Sequence, residues 1–113
     1  MTPPDALRIE PAQPADAALI VALVRELAEY ERLLNDVRIT PDDVHRDLFG
    51  PRAFAEAVVA RVGDEPVGFA LWFHNYSTFE GRPGLYLEDL FVRPASRGHG
   101  YGESLLRHLA RLA

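Results

Sequence analysis

The stretch Arg97-Gly98-His99-Gly100-Tyr101-Gly102 constrains this chain more than any other. It lies between an apolar, strand-like segment that ends at Val92 and a segment with helical spacing of leucines. Glycines at alternate positions reach backbone conformations closed to other residues and leave the main chain uncovered. The first turn of a helix presents unpaired N–H groups and the positive end of the helix dipole. A strand, a bare turn and a helix start together form a cradle for a pyrophosphate. Arg97 is placed to add a charge-assisted hydrogen bond.

The remainder of the chain fits one α/β domain around that turn. Leu7-Arg8-Ile9-Glu10 alternates as a short strand. Pro14 suits the first position of a helix, and Ile20, Leu23, Val24, Leu27 and Leu34 follow helical spacing. A long amphipathic helix is therefore predicted over Pro14 to Leu33, with Arg25, Glu29 and Arg32 on its exposed face. Thr40-Pro41-Asp42-Asp43 is a helix start, and Gly50-Pro51 a stop. Ala55 to Val62 and Val67 to Tyr76 read as a hairpin around Gly63-Asp64-Glu65-Pro66. Ser77 to Gly84 reads as a polar loop and Leu85 to Val92 as the next strand. Leu105, Leu106, Leu109 and Leu112 mark a final helix. The predicted order is β-α-α-β-β-β-α, a mostly antiparallel mixed sheet with helices on both faces.

Bulk properties narrow the function classes. With 113 residues, 48% hydrophobic and 26% charged, the composition is globular rather than disordered. No cysteine is present, which excludes disulfides and thiolate metal sites. His45, His74, His99 and His108 show no ligand spacing, so no metal is expected. The net charge of −5 argues against nucleic acid and suits a cationic partner. No apolar run approaches a membrane span and no secretion signal opens the chain. A cytoplasmic protein with no membrane partner is the expectation. Two phosphate-binding alternatives fit poorly: a P-loop needs a Lys after its last glycine, where Glu103 stands, and a dinucleotide fingerprint needs a small residue there.

The spacing of Arg97, Gly100 and Gly102, with Tyr86-Leu87-Glu88-Asp89-Leu90-Phe91-Val92-Arg93-Pro94 before it, resembles the signature of the GNAT superfamily of N-acetyltransferases. The resemblance is closest to the diamine (spermidine/spermine-type) acetyltransferase subgroup. It rests also on Glu26-Leu27-Ala28-Glu29-Tyr30-Glu31 and on Val67-Gly68-Phe69-Ala70, and covers the chain from Leu7 onward.

The resemblance implies acetyl-CoA as cosubstrate, with Gly98, His99, Gly100, Tyr101, Gly102 and Glu103 at its phosphates together with Arg97. It implies that Leu90, Phe91 and Val92 pair their backbone with the pantetheine arm, and that an N–H there stabilises the tetrahedral oxyanion. Tyr30, Glu31 and Glu88 map onto substrate contacts for a small amine. The implied reaction is direct attack of a neutral amine on the thioester, with Glu88 the first and Glu31 the second candidate for general base. Alternation along a strand predicts Glu88 and Asp89 on opposite faces unless a bulge intervenes, which leaves Asp89 a structural role.

The family fold adds a fifth strand, a further helix and a closing hairpin, which carry the acid for the leaving thiolate. Residues 1–113 are thus expected to be the N-terminal portion of one such domain, truncated before the fifth strand. Weak or no catalysis alone, and a homodimer, follow as expectations from the bare fourth strand. The competing readings are acetylation of a protein or peptide amine, a non-catalytic CoA-binding or interaction module, and a structural domain whose turn holds no ligand.

Overall fold

The computed structural model describes residues 6–113. Four strands form one sheet in the order β1-β2-β3-β4: β1 (Leu7–Pro11), β2 (Glu56–Val62), β3 (Glu65–Ser77) and β4 (Arg82–Val92). All three described pairings are antiparallel, so the mixed sheet expected from the sequence is a purely antiparallel one over these residues. The connection from β1 to β2 explains this. It passes through two helices, α1 (Ala17–Tyr30) and α2 (Pro41–Phe49), and a pair of helices reverses the chain twice, where a single crossover helix would give a parallel neighbour. The last helix is α3 (Tyr101–Leu112).

The helices do lie on both faces. Ile20 and Leu23 of α1 and Val44 of α2 pack with Ala57, Phe69, Leu71 and Phe91 on one side. Leu105 and Leu109 of α3 pack with Val58, Ala60, Ala70 and Trp72 on the other. Leu105 and Leu109 are one turn apart and share a face. Leu106 and Leu112, predicted in the same stripe, are about half exposed at 52% and 53%.

Three boundaries differ from the sequence reading. The first helix begins as a 3₁₀ turn over Pro14–Asp16 and ends at Tyr30, three residues short of Leu33. Its stop is a Schellman turn: Leu33 N–H donates to Ala28 C=O (2.7 Å) and Arg32 N–H to Glu29 C=O (3.0 Å), with Arg32 left-handed at φ 61°. The turn has no glycine to announce it. Half of the polar loop Ser77 to Gly84 is strand, and residues 78–81 form the tight turn in which Gly81 N–H donates to Ser77 C=O (2.8 Å). Here β3 and β4 outrun β2, whose pairing stops at Glu56 opposite Trp72. Without a third strand the ribbon has no core face, so it shows no apolar alternation. Finally, the first hairpin turns on Gly63-Asp64 alone, since Glu65 already pairs with Val62.

The start of α2 matches its reading. Asp43 N–H donates to Thr40 Oγ1 (3.2 Å) and Thr40 N–H to Asp43 Oδ2 (2.9 Å), a reciprocal capping box. The donated Thr40 N–H, with Arg46 beside it, holds the Asp43 carboxyl below its usual range. Its contribution is therefore present above the ordinary carboxylate pKa and is lost as pH falls through the lowered one. Thr40→Ala is expected to lower stability by about 1 kcal/mol and Tm by about 4 °C, read by thermal melting.

Candidate active site

The glycine turn is built as the sequence suggests. Gly98 and Gly100 are left-handed (φ 89° and 78°), and an added Cβ at either would point into open space. Gly100 is the N-cap of α3 and offers no side-chain cap. The first bond of the helix is Ser104 N–H to Gly100 C=O (3.0 Å), which leaves the N–H groups of Tyr101, Gly102 and Glu103 without intrahelical partners. Gly102 differs from the other two. A Cβ there would meet Val92 and Leu90 side chains at 3.8 and 3.9 Å, ordinary contact distances. A cavity of about 380 Å³ opens at the turn, lined by Leu90, Val92, Arg97, Gly98, Gly100, Tyr101 and Gly102. The side chains of His99 and Glu103 are engaged nearby: His99 stacks on Tyr101 (5.3 Å between centroids) and Glu103 accepts from Arg107 (2.6 Å).

Beside the turn runs the open edge of β4. Arg93 N–H donates to Val67 C=O (2.8 Å), so the alternation of the ladder turns the main-chain groups of Val92 and Leu90 away from β3. Phe91 lies between them, with its main chain in the ladder and its side chain in the α1 core. Of the three residues expected to offer backbone pairing, Leu90 and Val92 therefore do so at this edge and Phe91 does not.

Arg97 lines the cavity at the turn, and its side chain reaches back to the β4 edge. Its Nε donates to Val92 C=O (3.0 Å), and its guanidinium lies 4.4 Å over the Tyr30 ring and 5.7 Å from the Phe91 ring. Tyr30 is held there from below. Glu26, one turn earlier on the same helix face, grips Arg93 with both carboxylate oxygens (2.9 and 2.8 Å), and Arg93 also donates to Pro66 C=O. The end of α1 is thereby fastened to the end of β4. The sequence reading passed over this role of Arg93, and neither periodicity nor spacing signals it.

The relation of Glu88 to Asp89 corrects the simple alternation. Asp89 pairs with Leu71 and Leu87 with Trp72, so Glu88 is an extra residue in β4: a β-bulge. Leu85 and Leu87 before it, and Leu90 and Val92 after it, all belong to the α3 side. Tyr86, whose ring packs 4.9 Å from Phe73, and Phe91 belong to the α1–α2 side. The parity changes at the bulge, and both carboxylates face the α1–α2 side. Asp89 is half-buried, and burial first, then the charges of Glu88 and Glu31, raise its carboxyl above the usual range. The charges of Glu88 and Glu31 thus reach Asp89, which lies on the same side of the sheet as Glu88 rather than opposite it. The signal was legible: the apolar spacing 85, 87, 90, 92 contains one step of three.

Glu31 is exposed at the C-cap of α1, and Tyr30 is 63% exposed. On the same sheet face, next to Leu71, a second cavity of about 410 Å³ lies between α2 and β3, with Ile39, Val44, Leu48, Phe54 and Phe73 among its walls. Among the described residues no group of His, Asp and Glu is arranged to hold a metal, and no helix is long and apolar enough to cross a membrane.

The pattern of the acetyltransferase (GNAT) family matches residues 21–113. The chain is 37% identical to a thialysine N-epsilon-acetyltransferase of Bos taurus over 93% of its own length and 66% of that protein's. It is 34% identical to the spermidine/spermine N(1)-acetyltransferase-like protein 1 of Homo sapiens, over 96% of this chain and 16% of that one. Among solved structures, a ribosomal-protein-alanine N-acetyltransferase from Brucella melitensis biovar Abortus superposes with a TM-score of 0.72 at 28% identity, covering 94% of this chain and 71% of the other. The chain spans just under two thirds of the thialysine acetyltransferase, and the shared portion holds the turn, the bulged strand and the end of α1. The chain belongs to the acetyltransferase (GNAT) family.

Proposed function

We propose that this chain forms the cosubstrate cradle and part of the acceptor site of an acetyl-CoA-dependent N-acetyltransferase whose acceptor is a primary amine on a small cation, thialysine- or polyamine-like. The observation that supports this most is the adjacency of two features. One is a left-handed glycine turn with unpaired helix N–H groups. The other is a bulged edge strand that presents two carboxylates within reach of the charge of a third.

The backbone N–H groups of Tyr101, Gly102 and Glu103 bind the pyrophosphate. The open main-chain groups of Leu90 and Val92 pair with the amide-bearing pantetheine arm, and the Leu90 N–H polarises the acetyl carbonyl. Glu31 and Glu88 attract the ammonium groups of the acceptor, and its carbon chain lies toward the apolar cavity beside Leu71. Asp89 holds a proton more readily than an ordinary carboxylate, which suits it as proton acceptor from the attacking amine. The amine nitrogen forms a bond to the acetyl carbon, its proton passes to the carboxylate directly or through one water, and the carbon–sulfur bond breaks to release the CoA thiolate. This reading moves the base from Glu88 to its neighbour and keeps Glu88 and Glu31 as cation-binding groups.

The test is transfer of labelled acetyl from acetyl-CoA to thialysine, spermidine and a peptide N-terminus. Acetylation of the small cations is the expected result. Transfer to the peptide alone would replace the proposed acceptor class, and acetyl-CoA binding with no transfer to any of the three would favour the CoA-binding module.

A further inference from the structure

We infer that Glu26 and Arg93 are positioning residues for the acceptor: their paired hydrogen bonds fix how far the end of α1, which carries Tyr30 and Glu31, stands from the bulged part of β4, which carries Glu88 and Asp89. The inference rests on the acetyltransferase reading and deepens it, because it names the contact that holds the two acceptor-facing elements at a fixed separation.

Arg93 is anchored on the sheet by two carbonyls. Its N–H donates to Val67 C=O (2.8 Å) and its Nη1 to Pro66 C=O (3.0 Å), both near the start of β3. From that anchor, Nε and Nη2 donate to the two carboxylate oxygens of Glu26 (2.9 and 2.8 Å). The exposed Glu65 adds a longer contact (3.7 Å). A planar fork fixes orientation as well as distance, which the point charge of a lysine does not.

Packing holds the end of α1 more lightly than its start. Ile20 and Leu23, its fully buried side chains, lie in the first half of the helix. Beyond them Ala28 is buried, with Val24 and Leu27 partly so. Glu26 stands one turn before Tyr30 on the same helix face, and Glu31 follows directly. The clasp therefore acts where the helix is least fixed by its core and where the acceptor groups sit. The charge of Glu31 reaches Asp89 in this arrangement, beside that of Glu88 on the same strand. Releasing the clasp lets Glu31 drift from Asp89 and leaves Glu88 in place. A cationic acceptor then loses hold on the α1 side, and the Asp89 carboxyl loses the share of its upward shift that comes from α1.

The experiment compares the chain with Glu26→Gln and Arg93→Lys, and with Asp16→Asn as control. Asp16→Asn breaks the Arg61–Asp16 pair (2.9 Å), another long-range arginine–carboxylate contact, at the opposite end of α1. Spermidine and acetyl-CoA are titrated by calorimetry, and the Asp89 carboxyl is followed against pH by ¹³C NMR. Both clasp variants are expected to weaken spermidine roughly threefold to tenfold, to leave acetyl-CoA within about twofold, and to lower the Asp89 midpoint. Glu31→Gln should lower that midpoint in the unsubstituted chain and by less in Glu26→Gln, because the clasp carries the effect of Glu31. Asp16→Asn should change none of the three, whatever it does to Tm. An unchanged spermidine affinity or an unchanged Asp89 midpoint in the clasp variants, or the same changes in Asp16→Asn, overturns the positioning role and leaves the acetyltransferase reading intact. Absence of spermidine binding to the unsubstituted chain overturns the small-cation acceptor and the positioning role with it.

Discussion

Gly100→Glu is expected to weaken acetyl-CoA binding by at least about a hundredfold, equivalent to roughly 2.7 kcal/mol, in calorimetric titration. Two effects combine. Gly100 sits at φ 78°, where a side-chain-bearing residue is strained by roughly 1–2 kcal/mol. Its Cβ would point into open space at the mouth of the turn, so the new carboxylate would stand where the pyrophosphate's negative charge must sit. Gly100→Ala separates the two terms. It takes the strain without the charge, and should lose only about tenfold or less in affinity. Because nothing lies within 4 Å of that Cβ, neither variant disturbs the core, and circular dichroism should show both folded. Equal affinities for all three proteins would remove the pyrophosphate from this turn.

Asp89→Asn is expected to lower kcat/KM by about 10² to 10⁴, the usual worth of a general base. The pH profile adds a second readout. Burial and the neighbouring charges of Glu88 and Glu31 raise the Asp89 carboxyl, so its acid form persists above the ordinary carboxylate pKa of about 3.9. A base must be ionised to act, so kcat/KM should rise with pH along a limb that lies above the usual carboxylate range. Glu88→Gln removes one like charge and should move that limb to lower pH. The sign for stability is opposite to that of Asp43. A carboxyl with a raised folded pKa favours the folded state at low pH, and that contribution is lost as pH rises through the raised value. A large loss in Glu88→Gln with a near-normal Asp89→Asn would return the base to Glu88.

Much of this was legible because it is local. Thr40-Pro41-Asp42-Asp43 carries its own capping chemistry, and the structure closes the box within four residues. The glycines at 98 and 100 adopt the left-handed turn that their lack of a side chain permits. Helical spacing of Ile20 and Leu23, and of Leu105 and Leu109, foretold which sides are buried. The errors have an equally physical origin. The end of α1 depends on Arg32 taking a left-handed conformation that arginine does not advertise. The β3–β4 ribbon is held by main-chain pairing, which is blind to side-chain polarity. The bulge left a mark in the spacing of Leu87 and Leu90, and it is the exception under which Glu88 and Asp89 share one side.

By itself, the sequence determined the order of elements, the two apolar faces, the cap of α2 and the left-handed glycine turn. Each follows from residues within one or two turns of each other, whose preferences act before the chain folds. The tertiary structure decided the shared side of Glu88 and Asp89, the raised carboxyl of Asp89, the clasp of Glu26 on Arg93 and the stacking of Arg97 on Tyr30. These join residues up to 67 positions apart, as Glu26 and Arg93 are. Charge interactions and burial depend on distance through space, and only the packing of α1 against the bulged edge of β4 sets that distance.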